Sequence, residues 1–143
     1  MIKDKNNEGQ TSNKKSDLTP QWERRVKTFK FIYSCLIKDD DAQVAKAEAF
    51  NKYEFDSEQL SLIEYFLDNK QEIINKLEHE MPSKWTFDRL NYVDQAILLD
   101  ACAETKTWLT DKAIIIDQSV ITAKKYSDKD SYKFINAILE KVL

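Results

Sequence analysis

Apolar residues recur every three or four positions through most of the chain, which is the spacing of one face of an α-helix. This pattern is interrupted at residues 51–56, 68–70 and 127–130. We expect helices on both sides of each interruption, including two separate helices that meet at Asp68-Asn69-Lys70. The pattern therefore predicts an all-α protein, a single compact domain of about seven helices, with no strand.

The first and last helices carry the clearest core stripes. Thr19-Pro20 predicts a helix start, because a hydroxyl can cap the helix and proline suits its first position. The residues expected in the core along the first helix are Trp22, Val26, Phe29, Tyr33 and Leu36. In the last helix they are Phe134, Ile135, Ile138, Leu139, Val142 and Leu143.

Composition agrees with helices joined by short polar loops. The 143 residues include one Gly and two Pro, too few for the turns of a sheet protein. Residues 1–18 are polar and predict a disordered arm, which leaves residues 19–143 as one helical domain. Membrane insertion is not expected, because no apolar run approaches the roughly 18 residues needed to span a bilayer.

The net charge of −3 is unevenly distributed along the chain. Residues 1–38 carry +5, residues 39–111 carry −10, and residues 112–143 carry +2. A protein that gripped nucleic acid along its whole surface would be basic throughout, because phosphate neutralisation supplies most non-specific affinity. Any nucleic acid should therefore bind where the two basic termini meet.

Residues that could support catalysis are scarce. The single histidine, His79, lies between two glutamates with no partner at a metal-ligand spacing, so a surface position is expected. The single glycine rules out a glycine-rich phosphate loop. Cys35 and Cys102 lie in apolar helical patterns and are expected to be core residues. We predict a cytoplasmic protein that is not an enzyme and has no cofactor, metal or small-molecule substrate.

Two segments resemble the NusB family of transcription antitermination factors. Ala123-Lys124-Lys125-Tyr126 and Ser131-Tyr132-Lys133-Phe134-Ile135-Asn136 match the family's "A-K-x-F" and "S-x-K-F-V-N". Upstream, Trp85, Arg89-Leu90, Val93-Asp94 and Ala96-Ile97-Leu98 are similar to its "W…RL…VD…AIL". The resemblance spans residues 20–143 and is most specific in the last thirty.

The resemblance implies an RNA-binding adaptor. NusB-like proteins pair with the ribosomal protein NusE, bind the single-stranded boxA element of ribosomal RNA operon transcripts, and act within the antitermination complex of RNA polymerase. Cations along the RNA backbone and aromatic rings under its bases would supply such binding. The residues expected to meet RNA are Arg24, Arg25, Lys27, Lys129, Asp130, Lys133 and Phe134.

Other roles remain open for several of these residues. Asp130 is expected to cap the last helix as well, and Phe134 to pack in the core, stack on a base, or do both. Asn136 is expected to border the apolar face and fix a neighbouring loop. The resemblance places Tyr33 and Asp94 at the protein-partner interface, although Tyr33 also fits the core stripe.

The chain also departs from the family pattern. Asp117-Gln118 stands where the family has Asn-Glu, and its arginine-rich amino terminus is reduced here to Arg24, Arg25 and Lys27. The reduced cluster favours an alternative function: a helical adaptor that binds the ribosomal-protein partner without sequence-specific RNA recognition. The sequence does not distinguish a monomer from a dimer.

Overall fold

The computed structural model describes residues 20–143, and in this range the fold is all-α with no strand, as predicted. The six helices are α1 (Pro20–Lys38), α2 (Ala42–Lys52), α3 (Ser57–Glu80), α4 (Tyr92–Thr107), α5 (Lys112–Tyr126) and α6 (Ser131–Val142). A short 3₁₀ helix, Phe87–Arg89, precedes α4. The predicted arm at residues 1–18 and the cap at Thr19 lie outside the described residues.

The prediction of about seven helices is wrong, because the expected joint at residues 68–70 is a kink inside α3. Asn69 leaves helical geometry, with φ −126° and ψ 17°. Its side-chain Nδ2 donates a hydrogen bond to the Tyr65 carbonyl, 2.9 Å away, so that carbonyl is satisfied at the bend. The helix continues beyond the kink, and Ile73 and Leu77 are buried there.

Helix α4 lies at the centre of the fold. Every residue from Asp94 to Glu104 is buried, so all sides of this helix are covered, rather than only the face that its periodicity predicts. The helix packs against α1, α3, α5 and α6. Its buried polar residues must therefore find partners on those neighbours.

Most predicted core positions are buried. Trp22, Val26, Phe29 and Leu36 line the inner face of α1, but Tyr33 is 37% exposed. The core interpretation of Tyr33 is therefore wrong; Ile32, one residue earlier, is completely buried instead.

The cysteine and histidine predictions are confirmed. Cys35 and Cys102 are buried free thiols, and burial raises their pKa values to about 11 and about 12, which keeps both thiols protonated near neutral pH. His79 is exposed on α3. Within residues 20–143, no group of histidine, cysteine or carboxylate side chains could hold a metal ion, and no helix there is long and apolar enough to cross a bilayer.

Candidate nucleic-acid interface

Two aromatic rings from distant parts of the chain stack at the surface. The centroids of Trp85 and Phe134 lie 5.1 Å apart, with 29° between the ring planes. Phe134 is half-buried in the first turns of α6, whereas Trp85 is 49% exposed. Phe134 therefore anchors Trp85 to the core, and Trp85 presents the larger open aromatic surface of the pair.

A tight turn after α3 positions Trp85. The Trp85 amide donates to the Pro82 carbonyl at 3.1 Å, and Lys84 between them adopts a left-handed backbone with φ 79°. Glu78 near the end of α3 accepts a hydrogen bond from the Phe87 amide at 2.7 Å. These two hydrogen bonds fix the backbone of residues 82–87, so Trp85 is held by its backbone as well as by Phe134.

Basic side chains lie near the ring pair. Lys84 and Arg89 are exposed and border an open depression of about 360 Å³ beside Trp85. Lys129, in the α5–α6 loop, and Lys133, next to Phe134 in α6, are also exposed. Trp85 therefore offers an aromatic face with positive charge beside it, which suits an unpaired base and a flanking phosphate.

Asp130 precedes α6 but does not cap it with its side chain, so the predicted capping role is wrong. Its carboxylate is exposed and lies 3.7 Å from the Lys133 ammonium group. This exposed pair leaves both groups accessible to a ligand, and such surface pairs contribute little to stability.

Asp94 is buried and holds the α5–α6 loop in place. Ser127 Oγ donates to its carboxylate at 2.6 Å, and Ser131 also hydrogen-bonds to it. Burial raises the pKa of Asp94, and the serine hydrogen bonds partly offset the rise. Asn91 adds a bond to Asp128 at 3.3 Å. The amino end of α4 therefore orients the loop that carries Lys129 and Asp130, and Asp94 does not lie on an open partner surface.

Arg24 and Arg25 are both engaged in internal ion pairs. Arg24 Nη2 lies 2.9 Å from a carboxylate oxygen of Asp56 and 2.9 Å from one of Glu58. Arg25 forms a bidentate pair with Glu104 at 2.8–3.0 Å, and the Glu104 side chain is 2% exposed. Both guanidinium groups are therefore paired with carboxylates, Arg25 inside the fold and Arg24 nearer the surface.

The other predicted residues are more accessible. Lys27 is exposed and borders a separate depression between α1 and the α2–α3 loop. Tyr33 lies one turn before Ile37, which is 52% exposed, so the two form a small apolar patch on the outer side of α1. Asn136 borders an open groove between α5 and α6 that apolar residues of α5 help to line, but its side chain is exposed, so the expectation that it does not face solvent is wrong.

Sequence reasoning did not include Trp85, Lys84 and Arg89 among the candidate RNA-binding residues. A signal was present: a tryptophan stands in the polar stretch Ser83-Lys84-Trp85-Thr86, outside any apolar stripe. An aromatic residue with no core pattern around it is more often exposed than one on a helical stripe. Its pairing with Phe134, however, depends on tertiary packing.

The chain matches the NusB family model over residues 23–143. The transcription antitermination protein NusB of Borreliella burgdorferi is 33% identical over 135 residues, which cover 85% of this chain and 92% of that protein. NusB of Borreliella afzelii is 32% identical over 134 residues, covering 85% and 95% respectively.

Two solved structures share the fold. T. maritima NusB superimposes with a TM-score of 0.69 at 24% identity, covering 87% of this chain and 90% of that one. A conserved hypothetical protein from Mycoplasma genitalium, described as structurally homologous to NusB proteins, gives a TM-score of 0.69 at 22% identity and covers 87% and 100%. The family match and the sequence relatives together show that this chain belongs to the NusB family of transcription antitermination proteins.

Proposed function

We propose that this protein binds boxA-type single-stranded RNA together with the ribosomal protein NusE, and thereby promotes transcriptional read-through in ribosomal RNA operons. It would act as an adaptor within the antitermination complex of RNA polymerase, and no covalent bond would be made or broken. The observation that carries the proposal is the stacked pair of Trp85 and Phe134 in basic surroundings.

The ring pair supports RNA binding because its chemistry suits unpaired bases. Every base has a π-face, and stacking on an aromatic side chain contributes about 1–3 kcal/mol per base. Lys129 and Lys133, with Lys84 and Arg89, would neutralise the phosphates. Asp130 would accept hydrogen bonds from base amino groups, which a cation cannot do.

The ion pairs of Arg24 and Arg25 change the role in RNA binding that we expect for these two residues. Arg24 and Arg25 would have to leave their carboxylate partners to reach phosphate, and breaking the buried pair of Arg25 with Glu104 is costly. We therefore assign them to stability and keep Lys27 as the α1 cation available to RNA.

For the protein partner we propose the exposed patch of Tyr33 and Ile37. The α1–α2 loop beside it carries the exposed carboxylates of Asp39, Asp40 and Asp41, which suit a basic ribosomal protein. Asp94 would influence this surface only indirectly, because its side chain is buried.

The test is fluorescence anisotropy of a labelled boxA-like RNA and a scrambled control, with and without NusE, at two salt concentrations. We expect the protein to prefer boxA, to bind it more tightly with NusE, and to lose affinity as salt rises, by about 0.7 logarithmic units per logarithmic unit of salt for each phosphate contacted. Equal weak binding to both RNAs would contradict the proposal.

The alternative, a protein-only adaptor, is favoured by one specific observation: the pairing of Arg24 and Arg25 with carboxylates removes two cations from any RNA surface. Capture of NusE with no preference for boxA would support it. Tyr33→Ala combined with Ile37→Ser should then abolish NusE capture, and Val44→Ser, at another exposed apolar position, is the matched control.

A further inference from the structure

A second surface depression combines aromatic rings with positive charge. It has a volume of about 350 Å³, which lies within the range of small-ligand sites. Helix α1 and the α2–α3 loop form its walls. The residues that line it are Lys27, Lys30, Phe31, Lys52, Tyr53, Glu54 and Phe55.

The rings at this depression are held rigidly. Tyr53 and Phe55 stack in parallel, with centroids 5.0 Å apart and 2° between the planes. Phe31 meets both rings edge-on, at 5.0 Å and 5.6 Å, and is itself buried in the core. Tyr53 is nevertheless 40% exposed. A ring fixed from one side and open on the other loses little conformational entropy when a planar ligand stacks on it.

Positive charge dominates the rim. Lys27, Lys30 and Lys52 are exposed there, against one carboxylate, that of Glu54. Lys27 and Lys52 make no ion pair with any residue in the range 20–143. Their charge is therefore available to an anionic ligand, in contrast to the charge of Arg24 and Arg25.

Lys30 connects this depression with the α5–α6 loop. Its ammonium group lies 5.3 Å above the ring of Tyr126, the last residue of α5. The loop that follows carries Lys129 and leads into α6, where Phe134 stacks on Trp85. Lys30 therefore extends the positive charge of the depression to the carboxyl end of α5.

We propose that the depression at Tyr53 is a second single-stranded RNA subsite, which takes nucleotides flanking the element bound at Trp85 and Phe134. One base would stack on Tyr53, while Lys27, Lys30 and Lys52 contact the adjoining phosphates. This inference rests on the proposed function, and it adds to it a longer RNA footprint that reaches α1 and the α2–α3 loop.

The test compares a boxA-like core RNA with the same RNA extended by one to six uridines at either end. The wild-type protein should bind one of the two extended series more tightly than the core. Tyr53→Ala should lower the affinity for the extended RNA by about 5- to 100-fold and leave the core affinity unchanged. Lys52→Ala should lower the salt dependence only for the extended RNA.

Two variants serve as controls. Tyr53→Phe keeps the ring and should keep the gain from extension. Lys76→Ala removes an exposed lysine from a different depression, beside α4, and should change nothing. Circular dichroism melting of each variant checks that the fold is intact.

The subsite and the proposed function fail in different ways. If the core RNA binds but neither extension adds affinity, or if Tyr53→Ala keeps the full gain while folded, the subsite is overturned alone. If neither the core nor the extended RNA binds, the proposed function is overturned and the subsite with it.

Discussion

Thr28 Oγ1 lies 2.8 Å from a carboxylate oxygen of Asp100 and 3.0 Å from the carbonyl oxygen of Arg25. A hydroxyl has one proton, so Thr28 cannot donate to both oxygens. The carbonyl of Arg25 can only accept, whereas a protonated Asp100 can donate to Thr28. Both contacts are satisfied at once when Asp100 is a neutral carboxylic acid. Burial and the nearby charge of Glu104 both raise the pKa of Asp100, which favours this neutral form.

Asp100→Asn should therefore change how stability depends on pH. The folded-state pKa lies above the unfolded value of about 3.9, so the folded protein holds a proton that the unfolded chain has released. The stability of the wild-type protein should fall as pH rises from about 4 toward that folded-state pKa. Asparagine keeps a donor to Thr28 and cannot titrate. The free energy of unfolding of the variant should therefore increase relative to that of the wild type as pH rises across this window.

Urea unfolding at a series of pH values measures the effect. Asp117→Asn, which changes an exposed carboxylate on α5, is the control and should show the wild-type profile. If the free energies of unfolding of Asp100→Asn and the wild type differ by the same amount at every pH, Asp100 is ionised in the fold.

Arg25→Ala should destabilise the protein without a specific effect on RNA binding. It would leave Glu104 buried without its bidentate partner, at a cost of about 3–5 kcal/mol. Arg24→Ala breaks only more exposed pairs and should cost less, about 1 kcal/mol. Chemical unfolding and RNA titration of both variants would separate stability from affinity. A large loss of affinity by folded Arg24→Ala would restore a direct role for that arginine in RNA binding.

Trp85→Ala should weaken RNA binding by about 1–3 kcal/mol while having a small effect on stability, because Trp85 is half exposed. Phe134→Ala should reduce both affinity and stability, because Phe134 also packs against the core. Anisotropy and thermal melting would be measured on both. Trp85→Phe, which keeps an aromatic face, should retain most of the affinity, and equal losses in Trp85→Phe and Trp85→Ala would argue against base stacking.

Asp94→Ala should release the α5–α6 loop from α4. The hydroxyls of Ser127 and Ser131 would lose their acceptor, and stability should fall by about 1–3 kcal/mol. RNA affinity should also fall, because Lys129 and Asp130 lie on that loop. Hydrogen exchange of residues 127–131 would report the loosened loop directly. Ser61→Ala, at an exposed position on α3, is the control, and unchanged exchange in Asp94→Ala would contradict the clamping role.

Local features of the chain could be predicted from the sequence. Periodicity alone identifies the buried face of α6, because Ile135, Ile138, Leu139 and Val142 repeat at helical spacing. Asp56 at the amino end of α3 likewise forms a reciprocal capping box with Gln59, three residues along the chain. These features depend on residues within one or two turns of each other, which is the range over which sequence patterns carry structural information.

Only the tertiary structure decides which distant side chains meet. Arg25 pairs with Glu104 across 79 positions, and Trp85 stacks on Phe134 across 49. The first contact removes a cation from the expected RNA surface, and the second adds an aromatic ring to it. The sequence by itself determined the helical class and most of the core, because both follow from local periodicity. The arrangement of the candidate binding surface follows from how the helices pack, since packing sets which charges are neutralised inside the fold and which remain open to a ligand.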